Sequence, residues 1–357
     1  MAKTYYEEEN EKKILKTKAL RKALPLYSNS FFIGIESRTT PQTRLNYARD
    51  LNNFYNFLSE KIFFKPSQEI TLQDLDRLTS TEIELFLEYL SIYEKNEKVM
   101  ITNSQKTKAR KLSTIRSYFK YFFNKNELSS NVASKVPLPK LREKPIIRLT
   151  PEEVNDVLNK TEVLDISTMS KRQKNYNKSI VVRDMAILTL LLGTGIRISE
   201  CVGLNVDDID FTNKAFKITR KGGYQSIQYF NDEIGNALID YLEQRTLLFH
   251  PEENNDALFV SIQGTRLTQR AIQNLVKKYT QGVVPLKTIT PHKLRSTYGT
   301  NLYNETRDIF VVAEVLGHKD VNTTKKYYAA ISDKIKQEAS KKVTLRNLNN
   351  DSNDNNN

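Results

Sequence analysis

Apolar residues recur at helical spacing through the first third of the chain. Leu51, Phe54, Tyr55 and Leu58 fall at i, i+3, i+4 and i+7, which puts them on one face of a helix running on from Thr43. Thr79 followed by Glu82 has the form of a capping box and opens a second helix with Ile83, Phe86, Leu87 and Leu90 inward. A third, from Lys108 to Asn124, turns Ile115, Tyr118, Phe119 and Phe122 inward. Three such faces bury one another, so residues 41–135 read as a compact all-helical domain, preceded by an extension, residues 1–40, that carries a helix of its own.

The pattern breaks at residues 136–149. Pro137, Pro139 and Pro145 stand among basic residues there, which predicts an extended linker. Thr150-Pro151-Glu152-Glu153 restarts helical structure with another capping box and opens a second domain, residues 150–345. Residues 161–180 are polar without periodicity and predict an exposed loop. Met185 to Leu192 is nearly all apolar, a helix buried on most sides that stops at Gly193-Thr194-Gly195. Phe216–Arg220 and Tyr224–Tyr229 predict a hairpin about Gly222-Gly223, Ala257–Val260 a further strand, and Leu267–Tyr279 a helix. Thr290-Pro291 starts another helix, with the Thr290 hydroxyl able to cap it, and Gly317 reads as the left-handed stop of the one after. Asn322 then caps a short helix through Tyr327 and Tyr328, and Ser332 a lysine-rich helix ending near Val343. Residues 346–357 form a low-complexity tail expected to be disordered. The fold class is mainly α with a small β-hairpin or sheet.

Composition narrows the function. A chain of 357 residues suits two domains of ordinary size, and a net charge of +13 favours a polyanionic partner through counterion release. The single cysteine, Cys201, excludes a disulfide framework and a cysteine-rich zinc site. The N-terminal residues lack an apolar segment of signal-peptide length, and no apolar run approaches a membrane span, so a soluble, cytoplasmic protein is expected. Asp207, Asp208 and Asp210 crowd together but lack the glycine and spacing of a calcium loop, so they predict a polar turn and no metal.

His292 and Arg295 share the first turn of the helix opened by Pro291, where free backbone N–H groups already favour an anion such as phosphate. Individually the polar residues have ordinary explanations. A histidine in a turn, such as His318, is usually a satisfied polar group, and Tyr327 and Tyr328 could be core aromatics. Arg197 is either an ion-pair partner of Glu200 or a clamp whose fork matches two phosphate oxygens. Lys221 sits at a hairpin tip, where lysines are normally just solvated. The same holds for the basic residues of the third helix, Lys106, Lys108, Arg110, Lys111, Arg116 and Lys120, and of the linker, Lys140, Arg142 and Lys144, although their clustering makes them candidate DNA contacts.

Taken together, His292-x-x-Arg295, Leu316-Gly317-His318, Tyr327 nine residues after His318, and Thr194-Gly195-Ile196-Arg197-Ile198-Ser199-Glu200 resemble the signature of the tyrosine recombinases, with Lys221 in the place of that family's hairpin lysine. The resemblance covers residues 41–343. It implies an N-terminal SAM-like core-binding domain and a C-terminal catalytic domain that form a C-shaped clamp on double-stranded DNA. It implies that Tyr327 is the nucleophile, that Arg197, Arg295 and His318 hold the phosphate, that His292 assists proton movement and that Lys221 is the general acid. No cofactor, ATP or metal is implied. The partners implied are further copies of the chain, a dimer on one site and a tetramer in synapsis, with the C-terminal helix docked in trans. Within the family the chain is most similar to the Xer-type enzymes, which implies chromosome dimer resolution at a dif-like site; an integrase or excisionase of a mobile element shares the same residues and stays open. Ser296 stands where many members carry a second histidine. A non-catalytic DNA-binding regulator and a metal-dependent nuclease are the rival classes, and the nuclease would need an acidic cluster that the sequence does not supply.

Overall fold

The computed structural model describes residues 3–95, 99–141, 147–162, 171–220, 222–249, 255–318, 320, 321 and 324. The chain divides into two compact units, Met1–Lys144 and Pro145–Asn357.

In the first unit α1 (Tyr5–Arg21) and α2 (Ser28–Gly34) lead to α3 (Pro41–Phe57), which runs into a π-helical turn at Leu58–Phe63. There follow α4 (Leu72–Asp76), α5 (Ser80–Tyr89), the antiparallel pair β1 (Ile92–Lys95) and β2 (Val99–Thr102), α6 (Gln105–Phe123) and α7 (Val132–Lys135). The expected inward faces are inward: Leu51, Phe54, Tyr55, Leu58, Ile83, Phe86, Leu90, Ile115, Tyr118, Phe119 and Phe122 are all fully buried, and Leu87 packs against them half-buried. Each large side chain so buried contributes about 1.5–3 kcal/mol. The same core takes in Leu24, Phe31 and Phe32 from the residues before α3. Its buried phenols are satisfied in series, Tyr27 to Tyr55 (2.8 Å), Tyr55 to Tyr118 (2.9 Å) and Tyr118 to Ser28 Oγ (2.6 Å). Thr79 and Glu82 form the expected capping box at the start of α5.

The second unit contains α8 (Pro151–Glu162), α9 (Lys171–Thr194), α10 (Ile198–Gly203), β3 (Ile209–Asp210), β4 (Ala215–Thr219), β5 (Gln225–Tyr229), α11 (Asp232–Phe249), α12 (Gln269–Gln281), α13 (Pro291–Thr306) and α14 (Ile309–Leu316). The three strands make one antiparallel sheet in the order β3-β4-β5, with Ala215 opposite Tyr229 and Thr219 opposite Gln225. The hairpin turns where expected, with Gly222 at φ 104° and Gly223 at φ 85°, a conformation that costs glycine little. Helix α9 is the spine, and Ala186, Ile187, Leu188, Leu190 and Leu191 on it are buried.

Three expectations are corrected. The domain at residues 41–135 is not all-helical, because β1 and β2 pair antiparallel between α5 and α6. Residues 171–180 are helical, because α9 begins well before its apolar run; lysine, arginine and glutamine are good helix formers, and extending an existing helix is favourable. Residues 257–260 form no strand. Two isolated bridges, Asn205 to Ala257 and Val260 to Arg266, flank the segment, and side chains take much of its backbone: Arg245 donates to the carbonyls of Ala257 (2.7 Å) and Leu258 (3.3 Å), while Val260 N donates to Tyr241 Oη (3.2 Å). Among the described residues no helix is long and apolar enough to cross a membrane.

Candidate active site

Helix α14 ends in a turn that gathers side chains from three other parts of the unit. Gly317 adopts φ 60°, its N–H bonds to the Glu314 carbonyl (2.8 Å), and His318 N bonds to the Ala313 carbonyl (2.8 Å), a left-handed C-cap. The next carbonyls, which a helix end leaves without backbone partners, are taken by guanidinium groups. Arg220 Nη2 donates to Val315 O (3.2 Å), Arg295 Nη2 to Leu316 O, and Arg197 Nη2 to Gly317 O (3.2 Å). Successive carbonyls at the negative end of one helix therefore orient three arginines.

Arg197 comes from the N-cap position of α10. Its Nη1 pairs with Glu200 Oε1 (2.8 Å), and its own backbone N–H donates to Glu200 Oε2 (2.7 Å). Glu200 is buried, whereas the Arg197 side chain keeps 32 % of its exposure, so the ion pair holds the fork in place without covering it. Ion pair and clamp are compatible roles. Arg295 is only 5 % exposed and also donates from Nη1 to Gly195 O (2.6 Å), the carbonyl at the stop of α9. Burying that charge is tolerable because its donors are directed onto carbonyl oxygens.

His292 lies exposed in the first turn of α13. Thr290 has the extended N-cap backbone expected of it, but its hydroxyl makes no capping bond; the turn closes through the Thr290 carbonyl, which accepts from Lys293 N (2.7 Å) and Leu294 N (3.1 Å). Ser296, one turn on, donates to the His292 carbonyl (3.0 Å). His318 is half-buried with Nδ1 2.8 Å from Thr324 Oγ1. Burial first, and then the charges of Arg295, Arg197, His292 and Arg220, pull its imidazole down to a pKa of about 4. Those charges mark the convergence: Arg197, His292, Arg295 and His318 occupy one neighbourhood. Lys221, Tyr327 and Tyr328 lie outside the described residues, as do Arg142, Lys144 and the Ser332–Val343 segment.

Arg220 was not evident from sequence, since a basic residue at a hairpin shoulder has no signature. The cations of α6 also differ from a simple basic face. Lys106 and Lys120 are exposed, as is Lys140 after α7. Lys108 is buried and donates to Ser91 Oγ (2.5 Å), Arg110 pairs with buried Asp50, Lys111 is buried with its pKa lowered by burial, and Arg116 holds the carbonyls of Ala133 (3.2 Å) and Val136. Of the crowded aspartates, Asp208 accepts from Asn205 N (2.9 Å) and pairs with Lys217 (3.4 Å), while Asp210 accepts from Asn213 N (2.9 Å). They serve the turn entering the sheet.

Comparison with known proteins follows the same division. Residues 148–334 match the phage integrase family, and residues 29–126 match the phage integrase N-terminal SAM-like domain. The tyrosine recombinase XerC of Oceanobacillus iheyensis is 30 % identical over 88 % of this chain and 94 % of its own length. The XerH site-specific recombinase bound to a palindromic difH substrate shares the fold, with a TM-score of 0.63 at 21 % identity over 85 % of this chain and 80 % of that one. The Tn1549 transposon integrase in complex with a circular intermediate DNA aligns at a TM-score of 0.59 and 20 % identity over 87 % of this chain and 98 % of that one. With its helical SAM-like first unit and an arginine-lined turn in the second, the chain belongs to the phage integrase family of tyrosine recombinases, site-specific enzymes that cleave and rejoin DNA strands.

Proposed function

We propose that Tyr327 attacks a DNA phosphate held by Arg197 and Arg295, forming a 3′-phosphotyrosyl link and releasing a 5′ hydroxyl. The observation that carries this reading is the turn after α14, where two guanidiniums from α10 and α13 are aimed by adjacent carbonyls beside His318. Rigidly held donors are what a pentavalent phosphoryl transition state requires, because they stabilise charge as it builds without reorganising. A phenol with an ordinary pKa near 10 is a weak nucleophile until that charge is offset and its proton has somewhere to go. His292 assists the proton's movement. His318, neutral at pH 7, donates one N–H to a phosphate oxygen; Thr324 Oγ1 at its Nδ1 leaves Nε2 to make that bond. Lys221 protonates the departing 5′ oxygen. Attack by the 5′ hydroxyl of another strand on the phosphotyrosine then reverses the same steps, restores a phosphodiester and returns the proton to Tyr327.

The partner is double-stranded DNA carrying a specific site, bound by two copies of the chain and brought together by four, with the C-terminal segment reaching a neighbouring copy. The role we favour is Xer-type resolution of chromosome dimers at a dif-like site, supported by the XerC relative and the difH-bound XerH fold. Integration or excision of a mobile element is the second reading, supported by the Tn1549 integrase fold.

A nicked suicide substrate tests the chemistry. It should trap a covalent complex with the wild type and with Tyr328→Phe, since adjacent residues of the helix expected from the sequence point about 100° apart and only one can meet the phosphate. Tyr327→Phe should bind the DNA and trap none; a phosphotyrosyl peptide carrying Tyr328 would overturn the assignment. Recovering the DNA from complexes trapped in cells separates the two roles, as one chromosomal locus or as the ends of a mobile element.

A further inference from the structure

Arg220 is the third arginine on the α14 turn. It lies at the shoulder of the β4-β5 hairpin, with its N–H on Tyr224 O (2.7 Å) and its carbonyl accepting from Gly223 N (3.0 Å). Its side chain leaves the hairpin and lies on Gly317: a Cβ added to Gly317 would fall 1.6 Å from Arg220 Nη1 and 2.4 Å from Cζ. The φ of 60° favours glycine at 317, and a side chain there would also have to push the Arg220 guanidinium aside. Nη2 is tied to Val315 O (3.2 Å), and Nη1 is buried without a hydrogen-bond partner among the described residues. Burial lowers the Arg220 pKa; Glu200 opposes the shift and the charge of Arg197 adds to it.

The next residue in the chain is Lys221. The turn after it is made of Gly222 and Gly223, both at positive φ. The Arg220 guanidinium is the link between that turn and the helix end that aims Arg197 and Arg295. We propose that Arg220 is a positioning residue for the general acid: docked on Gly317 and Val315, it fixes the hairpin relative to the phosphate clamp and so delivers Lys221 to the leaving 5′ oxygen. This rests on the general-acid role of Lys221 proposed above.

The test compares ordinary suicide DNA with the same DNA carrying a 5′-bridging sulfur, a leaving group that departs without protonation. Arg220→Met should slow single-turnover cleavage of ordinary DNA by about 100-fold, within the range of general acid catalysis. On the sulfur substrate it should come within about fivefold of wild type, with DNA affinity unchanged. Arg220→Lys keeps the charge and most of the stem and should show a smaller defect, also rescued; it carries the test if Arg220→Met does not fold. The double variant Arg220→Met/Lys221→Ala should cleave ordinary DNA no more than about twofold slower than Lys221→Ala, because two residues acting through one step are not additive. If sulfur rescues Lys221→Ala but neither Arg220 variant, or if the double variant is additive, Arg220 acts elsewhere and the proposal fails alone. If sulfur does not rescue Lys221→Ala, the general-acid reading fails and takes this role of Arg220 with it.

Discussion

Arginines anchor both units, but α6 and the α14 turn use them for different ends. On α6, Arg110 meets the carboxylate of buried Asp50, and Arg116 fastens α7 and the residue after it by their carbonyls. Those side chains join one part of the first unit to another. At the α14 turn, Arg220 and Arg295 are oriented by carbonyl oxygens, and Arg197 by one carbonyl and one carboxylate. A carbonyl directs a guanidinium without cancelling its charge, so the second arrangement holds cations close together, as the proposed phosphate clamp requires. What separates the two sets is where the partners lie: on α6 they are scattered over other parts of the unit, whereas at the α14 turn successive carbonyls gather three guanidiniums.

The widest gap between the two regions is expected in rate. Arg197→Ala and Arg295→Ala should each lower cleavage by at least about 100- to 1,000-fold, the scale of removing a transition-state donor, while DNA binding persists. They should part company in stability. Arg295→Ala strips the Gly195 and Leu316 carbonyls of a buried donor, at about 1–3 kcal/mol for each group left unsatisfied. Arg197→Ala, at a position already partly exposed, should cost much less. Denaturation midpoints together with single-turnover rates check both halves, and equal destabilisation would break the distinction between the two arginines.

On α6 the ordering reverses. Asp50→Ala removes the acceptor for Arg110 and for Thr114 Oγ1 (2.9 Å) and should destabilise the protein by about 1–3 kcal/mol without touching the chemical step of bound DNA. Binding should be steeply salt-dependent, falling by about 100-fold or more between 50 and 200 mM. Each of the exposed Lys106, Lys120 and Lys140, changed to alanine, should reduce the slope of log affinity on log salt by about 1 if it contacts a phosphate. Lys111→Met, at a buried position, should leave the slope unchanged. A slope that drops for Lys111 and not for the exposed lysines would invert the assignment.

These tests follow the line between what was legible in the sequence and what was not. Helices α3, α5 and α6 were legible because burial repeats at i, i+3 and i+4 and because Thr79 and Glu82 signal a cap locally, whereas the short α4 and α7 and the β1-β2 pair carry no such repeat. Arg197, His292, Arg295 and His318 were legible as a motif. Whether a given cation is free was not: Arg110 finds its acid 60 residues away at Asp50, and Arg220 finds its carbonyl 95 residues away at Val315. Residues 257–260 failed for the same reason. Their apolar composition favours a strand, but the arginine that takes their carbonyls is Arg245, on another element, and nothing within the segment announces it.

The smallest effect expected is a titration, and it reports on convergence itself. His318 has a folded pKa of about 4 against an ordinary value of 6.5, lowered by burial and by the cations around it. Between those values the unfolded chain binds a proton that the folded chain does not, so stability rises with pH across the window. The contribution is fully present above pH 6.5 and is lost as pH falls towards and through 4. His318→Gln should flatten that part of the stability profile. In a proton-detected titration of the free protein the ring should remain neutral well below pH 6. Bound DNA adds phosphate charge beside the imidazole, so its pKa should move upward on binding, and binding at pH 5 should take up protons. A His318 that titrates near 6.5 in the free protein, unmoved by DNA, would mean that Arg197, Arg220 and Arg295 are not gathered around it, and the contrast between the α14 turn and α6 would lose its physical basis.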